Sequence, residues 1–265
     1  MNKKNIIRKI FLPFLLTVCL LTTPLAALPQ ETGDGSRTLT YTYSFTRPVV
    51  EKVTTGERSF DAVHVEGLHR VGQYGEPIIP VKELRLLLPY QYRIDSIEAT
   101  PSEPLSLGFG YVLEPGGRDI PLTTPVQTLP PSSNDEMYLT SELFPGCLFD
   151  TIGTYGFRGY QILYLTLYPV HYHALTGELL YYPELIITLH LDKDETLAIH
   201  ELYRDCDADK NNLRGKVDTI QGSETYPSLQ KPTRDDYDLL IITTDALKTS
   251  FEPLADIHTS QGLPT

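Results

Sequence analysis

Several residue types and motifs are scarce in this sequence, and each shortage excludes a class of protein. The 265 residues include no tryptophan, two methionines and three cysteines. No Walker loop, dinucleotide fingerprint, G-x-S-x-G elbow or H-E-x-x-H motif occurs. Without these motifs, the 265 residues contain no recognisable catalytic arrangement. We therefore predict no catalytic residue, no cofactor-binding residue and no metal ligand in the chain.

Positive charge is also scarce. Lys and Arg number 22 against 34 Asp and Glu, which gives a formal net charge of −12. An acidic surface repels phosphate backbones and anionic lipid headgroups. We therefore expect neither nucleic acid nor a membrane surface as a partner of the mature chain.

The N-terminal 27 residues have the order of a secretory signal peptide. Lys3, Lys4, Arg8 and Lys9 precede an apolar run, which gives way to small residues around Ala27. The run is about a dozen residues long, whereas a transmembrane helix needs about 20. We expect cleavage and a secreted or cell-surface protein. The cleavage site is not a clean A-x-A, so an uncleaved anchor stays open as the alternative.

Two cysteines, Cys147 and Cys206, follow the predicted signal peptide. In an exported protein they can form a disulfide or remain separate, and the sequence does not decide between the two. No histidine-containing motif accompanies either residue, so a cysteine nucleophile is not predicted.

The middle of the chain alternates apolar and polar residues with the period of β-strands. A polar leader, 28–37, precedes strands predicted at 38–45, 60–66, 83–88, 92–99 and 105–113. Residues 115–133 are rich in Pro, Gly and Thr and predict a surface excursion. A long hairpin is predicted from 159–173 and 178–191, with the first strand buried on both faces and the second on one. Together these patterns predict an antiparallel β-sandwich over 38–203.

After this region the pattern changes twice. Residues 204–234 lose their periodicity and predict a linker. The continuous apolar run 237–243 is typical of a strand covered on both faces in a parallel sheet. Apolar residues at four- and three-residue spacings from Leu247 to Ile257 predict a helix, with Pro253 in its first turn and Gly262 as its stop. We interpret 235–265 as the incomplete start of an α/β domain, because the next parallel strand is missing.

Two polar patterns raise the question of metal binding. Alternating acidic and amide residues resemble the start of a calcium loop: Asp205, Asp207, Asp209 and Asn211. Lys210 replaces the turn glycine and Lys216 the bidentate glutamate, which favours a solvated linker. His171 and His173 share one side of a strand, as zinc ligands can, but no third ligand is visible, which favours structural histidines. The 17 tyrosines could stack on sugars, although their alternation within strands favours packing.

Three short stretches resemble the N-terminal half of gingipain-type cysteine peptidases, whose catalytic fold is similar to that of caspases. The first is G-E-P-I-I-P at 75–80 with the strands after it, and the second is the hairpin from Y-P-V at 168–170 to T-G-E-L at 176–179. The third is Y-D-L-L-I-I-T at 237–243 with the helix and the S-Q-G-L-P-T after it. The resemblance covers roughly residues 38–265.

This resemblance implies a zymogen. Residues 28–203 would form a prodomain that assists folding and covers the active site of a cysteine peptidase domain beginning near Asp235. Its partners would be that downstream domain and, through it, protein substrates. The His and Cys of the family's catalytic pair lie beyond position 265, and neither His258 nor Cys206 matches them, so no catalytic residue is carried over. The alternative is a surface-binding or adhesion module attached to an inactive α/β domain.

Overall fold

The computed structural model describes residues 30–31, 35–55, 58–117, 138, 140–229, 239–263 and 265. The predicted signal peptide and residues 118–133 of the predicted excursion lie outside the described residues.

Antiparallel strands make up most of the described chain. The strands are β1 Gln30–Glu31, β2 Ser36–Ser44, β3 Val49–Thr55, β4 Arg58–His64, β5 His69–Val71, β6 Ile79–Leu87, β7 Tyr92–Pro101, β8 Leu105–Gly108, β9 Leu143–Phe144, β10 Phe149–Phe157, β11 Tyr160–Leu167, β12 Val170–His173, β13 Glu178–Tyr181 and β14 Glu184–Lys193. The helices are α1 Asp207–Arg214 and α2 Asp245–Ser260, with 3₁₀ turns at Ala198–Leu202 and Ser223–Thr225. None of the helices in the described residues is long and apolar enough to cross a membrane.

Three four-stranded sheets and one two-stranded ribbon organise these strands. Their orders are β1-β2-β14-β7, β10-β11-β6-β5, β8-β13-β12-β9 and β3-β4. The paired strands run antiparallel, which confirms the predicted fold class for the sandwich. The largest core cluster joins the first sheet to the second, because Leu39 and Ile187 of one share it with Leu84 and Leu165 of the other.

The alternation of β2 and β14 explains why they form one wall of this core. Every second residue of each strand is buried, as the period of two requires. Leu185, Ile187 and Leu189 are fully buried, and they lie on the single face of this strand that alternates as apolar in the sequence. Strand β11, which lies between β10 and β6 in the second sheet, is buried at six of its eight positions.

The predicted long hairpin is wrong in its connectivity. Only its central parts, β12 and β13, pair with each other, whereas β11 pairs with β10 and β6, and β14 pairs with β2 and β7. Pro169 and Pro183 interrupt the two predicted strands, since proline has no N–H for a sheet ladder. Their carbonyls still accept hydrogen bonds: the Tyr182 N–H donates to Pro169 O at 2.9 Å, and the Phe45 N–H donates to Pro183 O at 2.8 Å. Each proline therefore marks a change of sheet.

Further differences concern the ends of predicted elements. Strand β8 ends at Gly108 rather than continuing to 113. Residues 239–243 form no strand, and residues 237–238 lie outside the described residues. The predicted helix is present as α2, but it begins at Asp245, so Pro253 lies in its interior rather than in its first turn. The predicted stop is confirmed, because Gly262 adopts a φ of 88° just past the helix end.

Candidate functional site: a strap across the sandwich

Residues 203–229, here called the strap, fold back over the second sheet instead of forming the linker that the sequence predicts. Three hydrophobic side chains of the strap are buried: Tyr203, Leu213 and Tyr226. They share a cluster with Leu87 of β6 and with Tyr160 and Ile162 of β11. The strap covers the face of β11 that points away from the main core, which explains why β11 is buried on both faces.

Hydrogen bonds fix the far end of the strap to the sheet. The Tyr226 hydroxyl donates to Leu88 O at 3.1 Å and accepts the Gln161 N–H at 3.0 Å. The Thr225 hydroxyl accepts the Tyr90 N–H at 2.8 Å. These contacts satisfy backbone groups at the adjoining ends of β6 and β11, and the strap therefore completes the hydrogen bonding of the sheet as well as covering it.

The middle of the strap extends the edge of β6. The Asp218 N–H donates to Arg85 O at 2.9 Å, and the Asp218 carboxylate accepts the Arg85 N–H at 2.6 Å. Leu86 and Thr219 form an isolated parallel bridge beside this pair. The strap takes the edge position of β6 beyond the short strand β5, which pairs only with residues 79–81.

A buried carboxylate holds the start of the strap. The Asp209 side chain is 2% exposed, and it accepts hydrogen bonds from Arg158 and from Arg204, the latter through Nε at 3.0 Å and Nη2 at 2.7 Å. Burial raises the pKa of Asp209, but the hydrogen bonds from Arg158, Arg204 and the Cys206 thiol outweigh it and lower the pKa to about 2. A buried charge is tolerated here because it is paired and hydrogen-bonded.

Two of the three acidic residues of the calcium-like pattern, Asp205 and Asp209, are paired with cations. Asp205 lies 2.5 Å from Lys210 Nζ and accepts the Leu229 N–H at 2.9 Å, while Asp207 is exposed on α1. Within the described residues, no group of three His, Cys, Asp or Glu side chains is placed to hold a metal ion. Asp205 and Asp209 therefore stabilise the strap, each through different partners.

The two histidines considered as zinc ligands have separate roles. His171 is 5% exposed and packs edge-on against the Tyr182 ring, with the ring centres 5.1 Å apart. Burial lowers the pKa of His171 to about 4, although a hydrogen bond to the backbone of Cys147 opposes the shift. His173 lies at the end of β12, where its Nδ1 is 3.0 Å from the Thr176 hydroxyl of the turn. Both act as structural residues in the fold.

The structure brings Cys147 close to His171, yet the contact does not activate the thiol. The hydrogen bond involves the backbone of Cys147, and burial together with Asp150 raises the pKa of its thiol. A catalytic pair needs the reverse, a lowered thiol pKa beside a basic imidazole. Cys147 and Cys206 are both free cysteines, so the disulfide that the sequence left open does not form.

A second buried carboxylate, Asp61, was not singled out from the sequence. It is 3% exposed in β4, pairs with Lys52 Nζ at 2.8 Å and accepts the Val112 N–H at 2.9 Å. The Tyr138 hydroxyl donates to Leu113 O at 3.0 Å in the same region. Asp61 therefore anchors residues 112–114 to β4, and an acidic residue inside an apolar strand pattern was the signal that could have identified it.

The tyrosines support the packing interpretation. Seven tyrosines of the described chain are buried: Tyr41, Tyr43, Tyr160, Tyr172, Tyr181, Tyr203 and Tyr226. Four of the aromatic rings around the strap contact one another, with Tyr160 and Tyr226 centred 4.8 Å apart. These rings supply the large aromatic side chains of a core that has no tryptophan.

The fold is an antiparallel β-sandwich, and the strap that follows its last strand packs on the second sheet. The family model Propeptide_C25, which describes gingipain propeptides, matches residues 27–202. The match covers well over half of the chain, and the chain belongs to this propeptide family. The strap begins one residue after the matched range.

One solved structure agrees with this assignment at the level of the fold. A complex of the Porphyromonas gingivalis RgpB pro- and mature domains matches with a TM-score of 0.52 and 12% identity, over 71% of this chain and 95% of that one. A structure on the zymogenic latency of gingipain K from Porphyromonas gingivalis matches with a TM-score of 0.48 and 17% identity, over 64% of this chain and 100% of that one. No curated protein matches the sequence.

Proposed function

We propose that the sandwich and its strap form the prodomain of a secreted cysteine peptidase zymogen. In this proposal the prodomain assists the folding of a peptidase domain that begins near Asp235, and it covers the active site of that domain until processing. The observation that carries the proposal is membership of the gingipain propeptide family over residues 27–202.

Two further observations support a prodomain. The RgpB match is a complex of pro- and mature domains, which are the two partners that the proposal requires. In the described chain, Cys147 has a raised thiol pKa and His171 a lowered imidazole pKa, so their contact suits a structural role. Secretion, with the mature protein released or held at the cell surface, rests on the signal-peptide pattern of residues 1–27.

The test is complementation between two separate polypeptides. A peptidase domain beginning at Asp235 is produced from the gene with and without residues 28–229 supplied as a separate chain, and soluble yield and hydrolysis of a casein substrate are measured. We expect the prodomain to raise the yield and to suppress hydrolysis by the folded enzyme.

The control is the prodomain carrying Gly159→Ala, whose added Cβ would lie 2.3 Å from the backbone of Tyr203 and should keep the strap from packing on the sheet. A prodomain that changes neither yield nor hydrolysis would contradict the proposal and favour the surface-binding alternative. Peptide hydrolysis by residues 28–265 alone, abolished by alkylating Cys147 or Cys206, would contradict the prediction that this part has no catalytic residue.

A further inference from the structure

His200 joins three parts of the fold through its imidazole ring. It lies in the 3₁₀ turn between β14 and the strap and is 8% exposed. Its Nδ1 is 2.9 Å from Gly159 O, in the turn between β10 and β11, and its Nε2 is 3.1 Å from Gln91 N, in the turn before β7. The ring also packs against Tyr90 and Tyr226, at centroid distances of 4.5 and 5.7 Å.

The two backbone partners define the protonation state that fits this site. A carbonyl oxygen only accepts, so Nδ1 must carry a hydrogen; a backbone N–H only donates, so Nε2 must present its lone pair. The neutral imidazole with its hydrogen on Nδ1 satisfies both partners. A second proton on Nε2 would face the Gln91 N–H, which turns a hydrogen bond into a contact between two donors.

Among the described residues, the contacts of the ring include no carboxylate that could form an ion pair with that proton. Tyr90 and Tyr226 contact the ring from the turn and from the strap, and Arg158, which precedes Gly159, is paired with Asp209. Glu201 is the adjacent residue on the same 3₁₀ turn and is exposed.

Two other histidines differ in this respect. His69 has Glu83 at 3.3 Å and His190 has Glu98 at 3.8 Å, so both can gain an ion pair when protonated. None of the ion pairs found among the described residues includes His200.

We propose that His200 is a pH-sensitive latch that holds the strap against the sandwich in its neutral form. Acidification adds a proton from solvent to Nε2, removes the hydrogen bond from Gln91 and separates the 89–92 turn from the ring. The Tyr226 end of the strap then loosens while the sandwich core stays folded. The latch is a property of this chain and does not depend on the proposed prodomain function.

Hydrogen exchange on the full chain tests the latch. Protection of the Gln91 and Tyr226 amides is measured at pH 8 and pH 5 and corrected for the intrinsic exchange rate. The protection ratio is each of these values divided by the protection of the Ile187 amide in β14. We expect the ratio to fall about tenfold in the wild-type chain, which is the size of one net hydrogen bond. In His200→Gln, whose amide does not titrate, the ratio should stay constant.

His190→Gln is the matched control, and it should keep the wild-type fall. A constant ratio in the wild-type chain, or an unchanged fall in His200→Gln, would overturn the latch. His200→Gln could already lower the protection of the strap amides at pH 8. In that case imidazole ¹⁵N NMR of the wild-type chain tests the latch, because it follows the protonation of His200 directly. Protonation of His200 Nε2 and loss of Gln91 protection must share one midpoint, and protonation without loss of protection would refute the proposal.

Discussion

The strap and the C-terminal segment 239–263 make opposite use of their sequences. The strap is polar and aperiodic, yet Tyr203, Leu213 and Tyr226 are buried in it. The C-terminal segment is apolar, yet Leu240 is 73% and Ile242 88% exposed, and the large apolar residues of α2 are at least 38% exposed. Composition alone therefore assigns the wrong environment to both segments.

The difference lies in the partners that each segment finds. The strap meets backbone groups at the edge of β6, a hydrophobic face of β11 and the guanidinium group of Arg158, so three large side chains and a few polar contacts suffice to fix it. Residues 239–243 pair with no strand of the described chain. An apolar run shows what a segment is able to bury, whereas burial itself needs a complementary surface.

The largest effect is expected at the glycine that lets the strap approach the sheet. Gly159 has a φ of 84°, and a Cβ there would lie 2.3 Å from the backbone of Tyr203. Gly159→Ala should lower the free energy of unfolding by about 4 kcal/mol or more, because backbone on both sides has to move. Urea denaturation followed by circular dichroism measures the change.

Gly67→Ala is the matched control for Gly159→Ala. Gly67 also has a positive φ, 75°, but nothing lies within 4 Å of the added Cβ. Gly67→Ala should lower the free energy of unfolding by about 1 kcal/mol, because it adds only the strain of the backbone conformation. Equal losses of unfolding free energy in the two variants would show that the strap does not pack closely against Gly159.

The second prediction concerns acid and the core of the sandwich. The pKa of His171 is lowered from 6.5 to about 4, so the unfolded chain binds the proton more tightly than the folded one. The stability that neutral His171 provides is complete above pH 6.5 and is lost as the pH falls toward 4, by about 3 kcal/mol. In His171→Gln this part of the pH dependence should vanish, whereas exposed His64→Gln should leave it intact. Parallel stability curves for the wild type and His171→Gln would contradict the assignment.

A smaller effect is expected from the buried carboxylate of the strap. Asp209→Asn keeps the volume of the side chain but removes its charge, and it should cost about 2 kcal/mol at about pH 7. The pKa of Asp209 is lowered from 3.8 to about 2, so this contribution is present above pH 3.8 and disappears as the pH falls toward 2. Asp207→Asn, on the exposed side of the same helix, should change the unfolding free energy by less than about 0.5 kcal/mol. A similar loss in both variants would mean that the ion cluster does not hold the strap.

The sequence predicts the parts of this fold that depend on local pattern. The alternation in β2 and β14 identifies their buried faces because the period of a strand is local. The change of sheet at Pro169 and Pro183 was missed, since a proline signals a break without naming the next partner. The strap was missed for a related reason: its burial depends on residues such as Tyr160 and Leu87, which are far away in the sequence.

The smallest effect is expected in the C-terminal segment, and it tests the comparison with the strap most directly. Leu213→Ala in the strap should lower the free energy of unfolding by about 2–4 kcal/mol, because a side chain that is 2% exposed leaves a cavity when it is shortened. Leu240→Ala removes the same atoms from a side chain that is 73% exposed, so it should cost less than about 0.5 kcal/mol. The chain has no tryptophan, so tyrosine fluorescence and circular dichroism in urea are the probes. If Leu240→Ala were as costly as Leu213→Ala, residues 239–243 would have a packing partner in the folded chain, and the contrast between the two segments would fail.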